Sequence, residues 1–192
     1  MLPTILPGSR SVIKLGFVVH RERRRLVFGA EELVDRNPDQ AMKIWVDADA
    51  CPAVVRELLF RTARRLQIEL VLVANQTLRV PGSRFVRAIT VTDGADRADQ
   101  KIVELIQPGD VVITADVPLA ARVVAKKGVA ICPRGQLFDE STVHEQLAAR
   151  NLMDHLRSAG IETSRPRPLN QKDVQAFANQ LDRILTRRLG TR

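Results

Sequence analysis

Asp47 and Asp49 sit at the end of an apolar run that opens at Lys43; Asp93 follows the run Val86 to Val91, and Asp116 follows Val111 to Ala115. Asp96 and Asp99 come shortly after Asp93, three residues apart and so on neighbouring parts of one helical face. Asn75 closes a further run, Ile68 to Ala74. Four strand-like runs therefore end in a carboxylate or an amide, and Lys and Arg are nearly absent from those positions. In an open parallel sheet ligands bind outside the carboxyl ends of the strands, so these groups are placed to meet at one rim. Carboxylates gathered together repel, and several at one rim call for a hard divalent cation. Oxygen ligands without His or Cys select Mg²⁺ or Mn²⁺ over zinc. The metal candidates are thus Asp47, Asp49, Asp93, Asp96, Asp99 and Asp116. One or two ions held there would activate water and stabilise a leaving oxygen, the chemistry of phosphodiester hydrolysis.

Every one of these acids also has a structural role open to it. Asp93 precedes Gly94 and a helix start, a natural N-cap position. Asp96 near that start suits the helix dipole, whereas Asp99 lies further into the helix, where Asp is a poor former. Asp47 and Asp49 could cap the helix beginning near Pro52, and Asp116 the one near Pro118. Two acids ending one buried strand nevertheless exceed what capping needs. Asp110 is the contrast: it opens the strand that Asp116 follows, roughly 20 Å away at about 3.3 Å per residue, and belongs to a turn. Cys51 and Cys132 fall near the rim and read as small, buried or half-buried residues. His144 and His155 share a helix face but are too far apart to share a metal. Neither a P-loop nor a GxGxxG glycine loop is present.

The elements that must position these groups alternate along the chain. Strands are expected at Lys43–Ala48, Ile68–Ala74, Val86–Val91, Val111–Ala115 and Val129–Cys132. Helices are expected from Pro52 to about Gln67, Ala95 to about Gln107, Pro118 to Lys127, Glu140 to Ser158 and Lys172 to Arg188. The first helix carries Val55, Leu58, Leu59, Ala63 and Leu66 on one stripe. Strands alternating with helices imply one three-layer α/β domain, a mostly parallel sheet with helices on both faces and extra helices at the C-terminus.

Composition narrows the classes. The chain has 192 residues, 45% hydrophobic and 27% charged, which excludes wholesale disorder. Aromatic residues make up only 4%, with no Tyr, which argues against stacked platforms for single-stranded nucleic acid. Two cysteines exclude a disulfide framework, and no apolar run nears the roughly 20 residues of a membrane span. A cytoplasmic protein is the expectation. The net charge of +8 is uneven: residues 1–41 carry +2, residues 42–154 carry +1, and residues 155–192 carry +5. Residues 1–41 show no sustained period of 2 or 3.6, and Met42 stands directly before a strong strand opening. Residues 1–41 are accordingly expected to be an extension outside the fold, with the domain and its basic helical tail spanning 42–192.

Four ordered segments carry a resemblance. They are Val46-Asp47-Ala48-Asp49-Ala50-Cys51-Pro52, Asp93-Gly94-Ala95-Asp96-Arg97-Ala98-Asp99, Val112-Ile113-Thr114-Ala115-Asp116-Val117-Pro118, and Pro133-Arg134-Gly135. Together they resemble the bacterial YaiI/YqxD family, over roughly Met42 to Leu185. That family has no characterised function and is grouped with the PIN-like, Rossmann-like folds, whose active members are metal-dependent nucleases. The resemblance implies a PIN-like three-layer domain. It implies catalytic roles for Asp47, for Asp96 or Asp99, and for the pair Thr114 and Asp116; counterparts of Asp49 and Asp93 are not assigned.

Three functions compete. The first is a Mg²⁺- or Mn²⁺-dependent phosphodiesterase acting on RNA, with Thr114 orienting a water or phosphate oxygen. In that reading the tail residues Arg165, Arg167, Lys172, Arg183, Arg187 and Arg188 track the backbone. The second is a phosphatase with a D-x-D nucleophile at Asp47 and its acid at Asp49. The third is an RNA- or protein-binding module with a vestigial acidic site. For the extension, a chain beginning at Met42 is expected to melt within about 4 °C of the full chain. A larger drop by thermal denaturation would place stabilising packing in residues 1–41.

Overall fold

A computed structural model of the chain describes residues 42–91, 96–160 and 167–190. Asp93, Arg165 and residues 1–41 lie outside the described residues. Strands β1 (Ile44–Asp47), β2 (Leu70–Ala74), β3 (Val86–Thr90), β4 (Val111–Ile113), β5 (Val129–Ile131) and β6 (Leu137–Phe138) form one sheet in the order β3-β2-β1-β4-β5-β6. All neighbours run parallel except β6, a two-residue edge strand antiparallel to β5. A pair this short carries no periodicity, and the sequence gives no sign of it. The helices are α1 (Ala53–Leu66), α2 (Arg97–Leu105), α3 (Val117–Ala125), α4 (Val143–Ser158) and α5 (Gln171–Leu189).

The strands are apolar throughout because both faces are covered. Ile44, Val46, Leu70, Leu72, Val111, Ile113 and Ile131 point to one face. There they meet Val55, Leu59 and Ala63 of α1 and Phe177, Leu181 and Leu185 of α5. Trp45, Val71, Val73, Val112 and Ala130 point to the other, against Ala98 and Ile102 of α2 and Leu119, Ala120 and Val123 of α3. Of the two extra C-terminal helices, α5 is thus the second helix of the α1 face. Helix α4 packs on α3 and buries only Val143. Among the described residues no helix is long and apolar enough to cross a membrane.

Local chemistry sets the element ends. Pro52 lies at the N-cap of α1, one residue before the helix, and Gln67 ends the helix in a left-handed conformation at φ 55°. At the start of β4, Asp110 is buried and accepts three hydrogen bonds. These come from Lys43 N (2.9 Å), Trp45 Nε1 (2.9 Å) and Gln107 N (3.0 Å). Asp110 therefore ties the entry of β1 to the turn before β4, at the far end of the sheet from Asp116.

The Pro133-Arg134-Gly135 turn has a structural explanation. Helix α5 opens with a capping box in which Asn170 and Asp173 bond each other's backbone N–H. Asp173, only 7% exposed, also pairs with Arg134 (2.9 Å) and Arg167 (2.6 and 2.7 Å). Arg167 above all, then the Asn170 N–H, holds the Asp173 carboxyl down at about 2. Gly135, at φ +88°, lies so close to α5 that a Cβ would stand 2.6 Å from Ala176 C and Phe177 N. Left-handed strain and a clash with helix backbone act together there. Gly135→Ala is expected to cost at least about 2 kcal/mol, read as a melting temperature about 4–8 °C lower. Gly82→Ala, where a Cβ meets nothing within 4 Å, should stay within about 0.5 kcal/mol. Equal melting for both variants would contradict the close packing of this turn.

Candidate functional site

The strand order changes direction between β1 and β4. Crossovers from β1 lead toward β2 and β3, and those from β4 lead toward β5, so the carboxyl ends of the two strands part around a crevice. A cleft of about 520 Å³ opens there. Asp47, Asp49 and Ala50 line it from the end of β1, and Asn75 from the end of β2. Asp96, Ala98 and Asp99 come from the start of α2, Ala115, Asp116 and Val117 from the β4–α3 junction, and Arg150 from α4. Five of the six sequence-chosen acids share this one cleft, and the sixth, Asp93, is outside the described residues.

Each acid is held differently. Asp47 is 7% exposed; its Oδ2 accepts the Thr114 hydroxyl at 3.1 Å. Thr114 Oγ1 in turn accepts the Asp116 N–H at 2.9 Å, which draws the two strand ends together. Thr114 is buried and its one hydroxyl proton is given to Asp47, so it positions Asp47 where the sequence suggested a partner for water or phosphate. Asp49 Oδ2 accepts the Asn75 N–H at 2.8 Å and links the ends of β1 and β2. Neither Asp47 nor Asp49 caps α1, whose N-cap makes no side-chain bond. Asp116 does cap α3: its Oδ1 accepts the Leu119 N–H at 3.0 Å. Asp96 stands at the N-cap position of α2 at φ +67° and makes no side-chain cap bond. Asp tolerates that left-handed conformation better than most residues.

The electrostatics follow from this crowding. Burial raises the Asp47 carboxyl, and nearby Asp49 and Asp116 raise it further, against the Thr114 and Ala50 hydrogen bonds. Asp99, half-buried in the first turn of α2, is pushed up to about 6, by burial first and then by Asp47, Asp116 and Asp96. Arg122 of α3 opposes that rise. Burial is the larger cause in both, and like charges sharing one site add to it. The donor set, all carboxylate oxygen, suits a hard divalent cation in its chemistry. Among the described residues, however, no three His, Cys, Asp or Glu side chains stand grouped as one ion would need them.

Arg150 is the residue that sequence reasoning missed. Its Nη1 meets Asp116 Oδ1 at 3.0 Å, on a rim the sequence reads as nearly devoid of cations. The only local signal is Asp154 four residues on, which the same guanidinium meets at 3.6 Å. Nothing in the spacing of residues 116 and 150 foretells their contact. The basic tail is also more structural than its composition suggests: Arg167 grips Asp173, and Arg188 donates to Gly109 O at 2.9 Å. Cys51 is buried and its thiol is pushed up to about 12 by burial, while Cys132 is half-buried and also raised. Both are packing residues, as the sequence suggested. His144 and His155 are exposed on α4, away from the cleft lining.

The family described as "Uncharacterized BCR, YaiI/YqxD family" matches residues 45–187. The chain belongs to the YaiI/YqxD family. A UPF0178 protein of Herminiimonas arsenicoxydans is 55% identical over 146 residues, which cover 76% of this chain and 98% of that protein. UPF0178 proteins of Janthinobacterium sp. (strain Marseille) and Cronobacter sakazakii are each 53% identical, covering 76% and 77% of this chain and 97% of each relative. Among solved structures, the homospermidine synthase of Legionella pneumophila in complex with NAD is similar at a TM-score of 0.40 and 10% identity, over 66% of this chain and 36% of that one. So loose a likeness says nothing about the cleft.

Burial and repulsion together give Asp99 a pH signature. Asp99 holds its proton more tightly in the folded chain than in the unfolded one. Its contribution to stability is therefore full below about pH 4, the unfolded value, and is lost as pH rises through about 6. In metal-free buffer Asp99→Asn is expected to match wild type in melting temperature at pH 4 and to exceed it above pH 6.5. A difference that stays constant across that range would show that neither burial nor its neighbours raise the Asp99 carboxyl.

Proposed function

We propose that the chain is a Mg²⁺- or Mn²⁺-dependent phosphodiesterase acting on RNA. The observation that carries this reading is the convergence of Asp47, Asp49, Asp96, Asp99 and Asp116 on one cleft at the switch point, where their repulsion adds to burial in raising Asp99 to about 6. A protein tolerates such repulsion where a function needs it. The cleft acids Asp47, Asp49, Asp96, Asp99 and Asp116 would supply the oxygens, and an ion would have to draw their side chains closer together than they stand here. The ion would supply an activated water and positive charge for the leaving oxygen. Thr114 fixes the Asp47 carboxylate and, through the Asp116 N–H, the β4 end opposite it. Resemblance to PIN-like nucleases and the net charge of +8 support a nucleic-acid substrate. Lys172 and Arg183, exposed on α5, are the tail cations suited to a phosphate backbone.

The Arg150–Asp116 ion pair favours a second reading, a binding module whose acidic site is internally neutralised. For the D-x-D phosphatase, Asp49 would have to release the Asn75 N–H before serving as an acid. Titration of Mn²⁺ by calorimetry, together with RNA and DNA cleavage assays, separates these readings. Wild type is expected to bind Mn²⁺ and to cleave RNA only with the ion present. Asp116→Asn keeps the helix cap, since Asn caps nearly as well as Asp. It should stay folded, bind Mn²⁺ at least about tenfold more weakly and lose cleavage. Asp110→Asn, at the other end of the sheet, should bind Mn²⁺ like wild type. Equal affinities for all three proteins would leave Asp116 a cap and nothing more, and no heat in wild type would favour the binding module.

A further inference from the structure

Helix α4 turns one side to α3, and that side carries the buried Val143 with Leu147 and Arg150, both half-buried. At about 100° per residue, Glu145, Ala148, Leu152 and His155 fall on the opposite side of the helix. All four are exposed, and Ala149 and Met153 are exposed beside them. Leu152, at 58%, and Met153, at 47%, are two of the three large hydrophobic side chains that stand open among the described residues; the third, Val54, lies on α1. Two neighbouring apolar side chains flanked by Ala148 and Ala149, on the side turned away from the core, mark a contact surface.

The steps from Glu145 to Ala148, Leu152 and His155 are three, four and three residues, the a/d spacing of a coiled-coil seam. Reversed, this seam is its own complement. With a second α4 laid antiparallel and the twofold axis level with residue 150, Glu145 faces His155 of the second copy and Ala148 faces its Leu152. Each pair recurs across the axis. The pairs match in chemistry. An imidazole N–H donates to a carboxylate in either charge state of the histidine, and among the described residues neither Glu145 nor His155 has another side-chain partner. A small Ala148 opposite a large Leu152 lets the helices interlock. A parallel pairing would instead set Glu145 against Glu145 and align the two helix dipoles unfavourably. We propose that the exposed face of α4 pairs antiparallel with α4 of a second copy of this chain, forming a twofold dimer. At about 1.5 Å per residue α4 runs about 24 Å, so one helix pair falls below about 1,200 Å² of buried surface, the low end of specific interfaces. The dimer is accordingly weak and forms as concentration rises. Arg150, on the inner side of α4, keeps its contact with Asp116, so the pairing is independent of what the cleft does.

Sedimentation velocity of the full chain from about 5 to about 500 µM, the range of weak interfaces, tests this. Wild type is expected to pass from monomer to dimer within that range. Leu152→Gln should weaken the dimer at least about tenfold, because the twofold axis counts the lost contact twice. Val54→Gln, on α1, should leave association unchanged. Glu145→Lys and His155→Glu should each weaken the dimer about three- to tenfold by setting mismatched charges across the axis. The double variant, which restores opposite charges at both ends, should return to within about threefold of wild type. All the substituted side chains are exposed, so each variant is expected to keep the fold, which circular dichroism checks. A chain that stays monomeric at the highest concentration overturns the proposal. If Leu152→Gln then also lowers the melting temperature, the face belongs to another segment of the same chain. A dimer that Leu152→Gln leaves intact, that Val54→Gln disperses, or that the double variant fails to restore overturns the proposal as well.

Discussion

A parallel sheet whose crossovers run outward in both directions from its centre leaves a gap between the two central strands. Here that gap lies between β1 and β4, because α1 carries the chain to β2 over one face and α3 carries it to β5 over the other. The helix entries diverge, and among the described residues the carboxyl ends of the two strands open into the cleft. Whatever residues end β1 and β4 must face one another across this crevice. In this chain they are Asp47 on one side and Thr114 to Asp116 on the other. The rest of the candidate site follows from that placement, since α2 begins beside the same crevice and brings Asp96 and Asp99 to it.

The two ends of the sheet treat buried carboxylates in opposite ways. At the amino end of β4, Asp110 accepts bonds from two backbone N–H groups and the Trp45 indole, a satisfied arrangement that joins two strands and a turn. At the carboxyl end, Asp47 has the Thr114 hydroxyl and the Ala50 N–H but faces other acids, and Asp99 is lifted to about 6. Hydrogen bonds of the first kind stabilise the fold. Repulsion of the second kind costs stability and needs a cation to relieve it. Arg150 relieves part of it at Asp116, from a helix that contributes little else to the core. The distinction between Asp110 and the cleft acids is thus one of partners and not of burial, since both Asp47 and Asp110 are buried.

Much of this was legible in the residues. The apolar runs of β1, β2 and β4 mark strands covered on both faces, and the acids following them fall at one rim once the sheet is parallel. Asp110 reads as a residue of the far end because strand rise separates it from Asp116. Other features depend on contacts between distant residues and leave no periodic trace. Arg150 meets Asp116 only because α4 folds back along α3. Asp173 gathers Arg134 and Arg167 only because the turn at Gly135 meets the start of α5. Strand β6 is two residues long, too short for any pattern. Arg167 and Arg188 count as basic-tail charge by composition, yet both hold the fold together by their contacts. Charge sums along a chain do not distinguish a solvated cation from one that grips a carboxylate or a carbonyl.

The cleft carboxylates lie close enough to repel one another, and on the metal-dependent reading proposed above a hard cation would relieve that repulsion. The most direct measurement is the titration of Asp99 itself, followed by the carboxyl ¹³C shift in protein labelled at aspartate, without and with Mg²⁺. The expected midpoint is near 6 without the ion, falling into or below the ordinary range, about 4, once Mg²⁺ is bound. A midpoint near 4 without Mg²⁺, or one near 6 that Mg²⁺ does not move, would contradict it.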